Sequence, residues 1–232
     1  MSNSDLIREI WTAYGIESSF GQSLKVQKWN PLNWDDTYRG PFQMDRDIQA
    51  KYGLNMWEVF DPDKAGLVYR KETVERTLDD GDWKEWDIEA RAADLGISDE
   101  TLRYMTWQQG RAGVIDIITT ATFSKRNNYS QKEYTIKNGV KVKQSYTGTL
   151  GNSVKRNINN NMSGPSKGQY PGVKGSGSQS YPVTIDKSLT DQERANQYIH
   201  LLNNKWTDKK EESKQYWGPQ PDEEVMNEIK LF

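Results

Sequence analysis

Leu6, Ile7, Ile10, Trp11 and Tyr14 recur at three- and four-residue steps, the apolar stripe of an amphipathic helix. Asn3 or Ser4 is placed to cap it, so the pattern predicts a helix opening near Asp5. Glu17 falls three residues past Tyr14 and seven past Ile10. A helix that continues through Gly15 carries this carboxylate along the apolar stripe, where loss of water raises a carboxyl pKa. Residues 22–41 show no period and read as loop or short irregular strands. Asp45 to Tyr52 predicts a second helix stopped by Gly53, and the turn Phe60-Asp61-Pro62 opens a third that runs to about Leu78. Asp82 to Leu95 reads as one helix ended by Gly96. Ser98 caps the next over Asp99 to Gln109, Gly110 and Gly113 bracket a break, and Val114 to Thr122 forms a sixth. Six short helices in this stretch predict an all-α domain over residues 1–123.

The pattern changes after Phe123. Tyr134-Thr135-Ile136-Lys137 and Val140-Lys141-Val142-Lys143 alternate apolar and basic around Asn138-Gly139, a β-hairpin signal within a basic segment at 124–150. Residues 151–189 are rich in Gly, Ser and Asn and read as a flexible or extended linker. Thr190 with Glu193 forms a capping box for a helix in a segment at 190–232, expected to act as an anchor. Leu201, Leu202 and Trp206 give that helix an apolar side, and Val225, Met226, Ile229, Leu231 and Phe232 form a last amphipathic piece. The expected fold class is therefore mainly α, with a helical N-terminal domain followed by an extended C-terminal region holding a β-hairpin and short helices.

Composition sharpens this division. Only 34% of the 232 residues are hydrophobic, which favours one packed part and an extended remainder. The net charge of −2 hides an asymmetry: residues 1–123 hold 14 basic and 22 acidic side chains, and residues 124–189 hold 11 and 2. Segments of opposite charge suggest different partners. The chain has no cysteine and one histidine, His200, so thiol chemistry is excluded and a zinc site is not expected. His200 reads as a helix-surface side chain. The start of the chain lacks the basic-then-apolar pattern of a signal peptide, and no run approaches the roughly 20 apolar residues of a membrane span. Asp79, Asp80 and Asp82 cluster, but the ligand series of a calcium loop stops too early.

Three short runs carry the candidate chemistry. They are Tyr14-Gly15-Ile16-Glu17-Ser18-Ser19-Phe20-Gly21, then Gly40-Pro41-Phe42-Gln43-Met44, then Trp107-Gln108-Gln109-Gly110-Arg111-Ala112-Gly113. In that order they resemble the E-S, G-L-M-Q and A-Y-N-x-G motifs of the lysozyme-like lytic transglycosylase domain, in particular its bacteriophage versions. The resemblance covers roughly residues 1–123. It implies that Glu17 is the catalytic acid and base on the bond between N-acetylmuramic acid and N-acetylglucosamine, with closure of a 1,6-anhydro ring and with no metal or cofactor. It further implies that Ser18 orients the glutamate or contacts substrate, that Phe42 and Met44 wall the site, and that Gln43 supplies a polar contact. Gln108 and Gln109 would bind sugar or hold the loop from the far side. The family tyrosine aligns with Trp107, which has no hydroxyl, and Tyr104 stands near enough to substitute. The interval from Glu17 to Gln43 is longer than the family pattern and reads as an insertion.

The resemblance implies a lyase that acts on peptidoglycan glycan strands, carried in the phage particle and opening the host envelope locally during genome entry. Residues 124–232 would then bind other virion or tail proteins, and a fragment of residues 1–123 would keep the activity. Two alternatives remain open at this level. A muramidase would hydrolyse the same bond with a base such as Asp35, Asp36 or Asp45, and a structural tail or adaptor protein would keep the domain only as a vestige. Trp29, Trp34 and Trp57 are aromatic enough to stack on sugars, and equally suited to anchoring a core or loop. The lysines interleaved with Tyr129, Tyr134 and Tyr146 fit a nucleic acid less well than an acidic protein, the anionic wall or plain solvation.

Overall fold

The computed structural model describes residues 3–18, 40–55, 57–78, 81–123, 134–137, 140–143, 148–162 and 188–214. Among them the protein is mainly helical. Eight α-helices are seen: α1 (Asn3–Ser18), α2 (Arg46–Lys51), α3 (Pro62–Leu78), α4 (Gly81–Glu85), α5 (Ile88–Asp94), α6 (Asp99–Ala121), α7 (Asn152–Met162) and α8 (Asp191–Ser213). Strands β1 (Tyr134–Lys137) and β2 (Val140–Lys143) pair antiparallel, with Tyr134 opposite Lys143 and Lys137 opposite Val140. No described helix is long and apolar enough to cross a membrane.

The chain divides into two compact units. Among the described residues, those up to Val74 and from Asn204 to 214 fall in one, and those from Glu75 to 162 and from 188 to Asn203 in the other. This division cuts across the boundaries expected at residues 123, 150 and 189.

In the first unit four of the five stripe residues of α1 are buried; Ile7 is half-buried, and Glu9, Thr12 and Gly15 are enclosed as well, so burial extends round more of the helix than the stripe. Leu6, Ile10, Trp11, Ala13 and Tyr14 are buried, and the helix passes through Gly15 without a break. Asp45 caps α2, its Oδ1 accepting from the Ile48 N–H at 2.8 Å. Asp61 opens α3 in the same way: its Oδ1 accepts from the Asp63 N–H at 3.0 Å, and Pro62 takes the first helical position. Gly66 lets α3 approach α1, because a Cβ there would lie 2.6 Å from Ile10 Cγ2.

In the second unit the helix expected over Asp82 to Leu95 is two helices. Asp87 adopts a left-handed φ of +48° and turns the chain between α4 and α5. Tertiary packing overrides local propensity here: Trp83, Trp86 and Ile88 are all buried, which one straight helix would not allow on its single face. The end of α5 is a Schellman motif, with the Ile97 N–H bonded to Ala92 O at 2.9 Å and the Gly96 N–H to Ala93 O at 2.9 Å. The two helices expected around Gly110 run on as α6, kinked where Gly110 takes φ +66° and ψ 164°.

Two expectations for the later chain need correction. The linker at 151–189 contains α7, whose Ile158 is buried and whose Val154 faces Gly113 of α6. Val154 and Ile158 are four residues apart, so even a polar segment carries enough of an apolar edge to dock. Of the expected apolar side of α8, Leu202 and Trp206 are covered by the protein's own chain and Leu201 is half-buried. Ala195, Tyr198, Ile199 and Leu202 are buried in the second unit, and Trp206 in the first. The Thr190–Glu193 capping box forms, with the Thr190 N–H bonded to Glu193 Oε2 at 2.8 Å and the Glu193 N–H to Thr190 Oγ1 at 3.3 Å. Asn138-Gly139, Trp29, Trp34, Asp35, Asp36, Asp79, Asp80, Tyr129, Tyr146 and residues 215–232 lie outside the described residues.

Candidate functional site

Glu17 is half-buried on the last turn of α1. Ser18 beside it is buried, and its hydroxyl donates to the Tyr14 carbonyl at 2.8 Å. This is the back-bond of a helical serine to the carbonyl four residues earlier, which satisfies the buried hydroxyl within the helix. Ser18 thus fixes the turn that carries Glu17.

The second run folds as a tight turn against the same helix. Gly40 has φ +72°, and a Cβ there would lie 1.9 Å from the Val59 carbonyl oxygen, so only glycine fits. Gln43 has φ +53°, a left-handed conformation that costs a non-glycine residue about 1–2 kcal/mol. Two bonds to the Gly40 carbonyl hold it, from the Gln43 N–H at 3.1 Å and from its Nε2 at 2.9 Å. The Gln43 amide therefore closes its own turn. Gln49 secures the exit, its Nε2 donating to the Met44 carbonyl at 2.9 Å.

Phe42 and Met44 are fully buried, so they back this turn and present no surface to a ligand. Phe42 lies between Tyr14 and Tyr69: the ring centroids are 5.8 Å apart on the α1 side and 5.4 Å apart, nearly parallel, on the α3 side. Trp11 extends the row, 5.0 Å from Tyr14 and edge-on. Such aromatic pairs contribute about 0.5–1.5 kcal/mol each beyond their burial. Tyr14 precedes Glu17 by three residues, so the turn that holds Gln43 packs on the helix face that leads to Glu17.

Two ion pairs stiffen the support, one buried and one exposed at its lysine. Arg70 on α3 meets Glu9 on α1, with both side chains withdrawn from water. Glu72, also on α3, accepts from Lys51 Nζ at 2.7 Å and from Tyr52 Oη at 2.8 Å. Burial pushes the Tyr52 phenol well above its ordinary range; Lys51 opposes the shift and Glu72 adds to it. Neither Glu9 nor Tyr69 was singled out in the sequence. Glu9 lies three residues from Leu6 and four from Ala13, on their side of the helix, but the packing of the unit is what encloses it.

The third run belongs to the second unit. Tyr104 is fully buried, and Gln108 and Gln109 are half-buried just before the Gly110 kink. They form a chain of hydrogen bonds with a residue the motif did not point to, Tyr198 of α8. Gln109 Nε2 donates to Tyr198 Oη at 2.7 Å, Tyr198 Oη donates to Gln108 Oε1 at 3.2 Å, and Gln108 Nε2 donates to Tyr104 Oη at 2.6 Å. The apolar side expected for α8, Leu201, Leu202 and Trp206, did not include Tyr198; the spacing of Ala195, Tyr198, Ile199 and Leu202 is the signal that marks it. Trp107 is half-buried and His200 is exposed.

A carboxylate pair lies in the same unit. The Gly151 N–H bonds to Asp116 Oδ2 at 2.7 Å, and the Leu150 N–H bonds to Asp191 Oδ2 at 3.0 Å, where Lys155 Nζ also donates at 2.7 Å. Burial pushes the Asp116 carboxyl above the usual range, offset in part by the Gly151 N–H, and the nearby Asp191 charge adds to the rise. Burial also acts upward on Asp191, but the bonds from Lys155 and Leu150 outweigh it and leave that carboxyl low. Among the described residues no group of His, Cys, Asp and Glu side chains is arranged to hold a metal ion.

Comparison of the chain with family models, curated proteins and solved structures finds no match.

Proposed function

We propose that the protein cleaves peptidoglycan glycan strands as a lytic transglycosylase, with Glu17 as the single acid and base. The observation that carries this reading is the Tyr14–Phe42 contact at 5.8 Å, which brings the first two motif-bearing runs together on α1. Glu17 stands on a well-anchored helix end, within reach of solvent. In the proposed reaction its carboxyl proton passes to the glycosidic oxygen as the bond to C1 of the muramic sugar breaks. The carboxylate then takes the proton from the C6 hydroxyl as O6 closes on C1. The proton returns to Glu17, and no water is consumed.

The muramidase reading needs a base. Of its candidates only Asp45 is described, and its Oδ1 is engaged as the α2 cap. A role in a phage particle, opening the envelope at genome entry, is the setting this chemistry proposes, with the basic segment after residue 123 and the last amphipathic piece as the attachment. Glu17→Gln should lower wall clearing at least about a hundredfold while keeping the fold. Mass spectrometry of the digest should show muropeptides one water lighter than hydrolysis products. Unchanged clearing by the substituted protein would remove Glu17 from the mechanism, and products of hydrolysed mass alone would move the assignment to a muramidase.

A further inference from the structure

Among the described residues the two exposed large hydrophobic side chains are Trp57, 74% exposed, and Phe60, 37% exposed. They are three positions apart on one short segment, the 3₁₀ turn Glu58–Phe60 and its leading residue. A 3₁₀ turn brings positions i and i+3 onto one edge. A single exposed apolar side chain is ordinary on a protein surface; here two stand together on one turn, and that turn is held in place.

The support is fixed. Asn55 Oδ1 accepts from the Trp57 N–H at 2.9 Å and the Glu58 N–H at 3.0 Å, and Glu58 Oε2 accepts from the Asn55 N–H at 2.9 Å. Lys64 Nζ bonds the other Glu58 oxygen at 2.6 Å, and the Phe60 N–H bonds to Trp57 O at 3.0 Å. The turn also touches the candidate site. Val59, two residues past Trp57, is fully buried, and its carbonyl lies against Gly40, the first residue of the turn that packs on α1.

Size and surroundings select the occupant. One indole offers at most about 250 Å², whereas a stable protein interface needs about 800 Å² from each partner. The patch suits a single flat apolar face. A pyranose ring has one, formed by its axial C–H groups; its equatorial hydroxyls call for polar groups nearby, and the ion pair of Glu58 with Lys64, which helps hold this turn, keeps both side chains partly in water. We infer that Trp57, assisted by Phe60, is a stacking platform for a sugar ring of the glycan strand, a binding subsite beside the Gly40–Met44 turn. The inference rests on the glycan reading above.

The test uses the full chain carrying Glu17→Gln, so that ligand is not consumed, alone and with Trp57→Ala or Trp57→Phe. Binding is measured to a soluble tetramer of β-1,4-linked N-acetylglucosamine and to purified cell-wall sacculi. Trp57→Ala should weaken both by roughly fivefold or more, the scale of one aromatic contact, and Trp57→Phe should recover most of the loss. Thermal unfolding should not change, since the side chain is exposed. Equal binding with and without the indole overturns the subsite, as does absence of binding to either ligand. A change in self-association on sedimentation without a change in glycan affinity also overturns it, in favour of a second copy of the chain. If Glu17→Gln still cleaves walls while Trp57→Ala loses glycan affinity, the subsite stands and the catalytic reading falls. The reverse pattern removes the subsite alone.

Discussion

Arg70 donates through one guanidinium nitrogen to both carboxylate oxygens of Glu9, at 3.2 and 3.3 Å, and the pair is enclosed in the first unit. The bond ties α1 to α3 two turns before Glu17. Removing one partner leaves a buried charge without its counter-charge, at a cost of about 3–5 kcal/mol. Arg70→Met or Glu9→Leu alone should lower the urea midpoint strongly, and the double substitution should recover much of that loss. A double-mutant cycle without coupling would show that the pair does not hold the helices together.

The Gly40 position should tolerate no side chain. Gly40→Ala combines a left-handed φ with a Cβ 1.9 Å from the Val59 oxygen. The expected cost is about 3 kcal/mol or more, since backbone must move. Gly53 has a similar φ of +67° and open space around it, so Gly53→Ala should cost only about 1 kcal/mol. Chemical denaturation of the two variants side by side separates steric overlap from conformational strain.

Acid titration should distinguish the two aspartates of the second unit. The Asp191 carboxyl is held low, so its contribution is present above the unfolded value of about 4 and is lost as pH falls through the lower folded value. Asp191→Asn should therefore reduce the Tm at pH 7 and converge with the unsubstituted protein in stronger acid. The Asp116 carboxyl is raised, so its contribution is full below about pH 4 and is lost as pH rises through the folded value. Asp116→Asn, which can still accept from the Gly151 N–H, should leave the Tm at pH 7 unchanged or higher, with any gain shrinking toward pH 4. Calorimetry across pH 2–8 reads both.

A fragment of residues 1–123 should lose cooperative unfolding. It lacks Leu150, Ile158, Ala195, Tyr198, Ile199 and Leu202, all buried in the second unit, and it uncovers the Gln108 and Gln109 amides. Circular dichroism on heating should show a broadened transition at lower temperature than for the full chain, and the fragment should clear walls less well. A sharp transition with full activity would restore the boundary at residue 123.

Local signals in the sequence determined the helices they bound. The Asp45 and Ser98 caps, the Thr190–Glu193 box, Pro62 at a first helical position and Gly53 and Gly96 at helix ends all act within four residues, and each formed where its chemistry placed it. The spacing along α1 marked Leu6, Ile10, Trp11 and Tyr14 for burial, but not the enclosure of Glu9 and Thr12, which the packing of the unit decided. What a stripe meets is a question of tertiary packing. The pairing of Glu9 with Arg70, of Phe42 with Tyr14 and Tyr69, and of Tyr198 with Gln108 and Gln109 joins residues 27 to 90 positions apart. No local rule sets such distances. The left-handed Asp87, the docking of α7 and the burial of the α8 stripe were decided in the same way, by which surfaces the rest of the chain offered to cover. The sequence by itself determined where Glu17 lies on its helix; only the folded chain decided that Phe42 and Met44 would be enclosed and that Trp57 would stand in water.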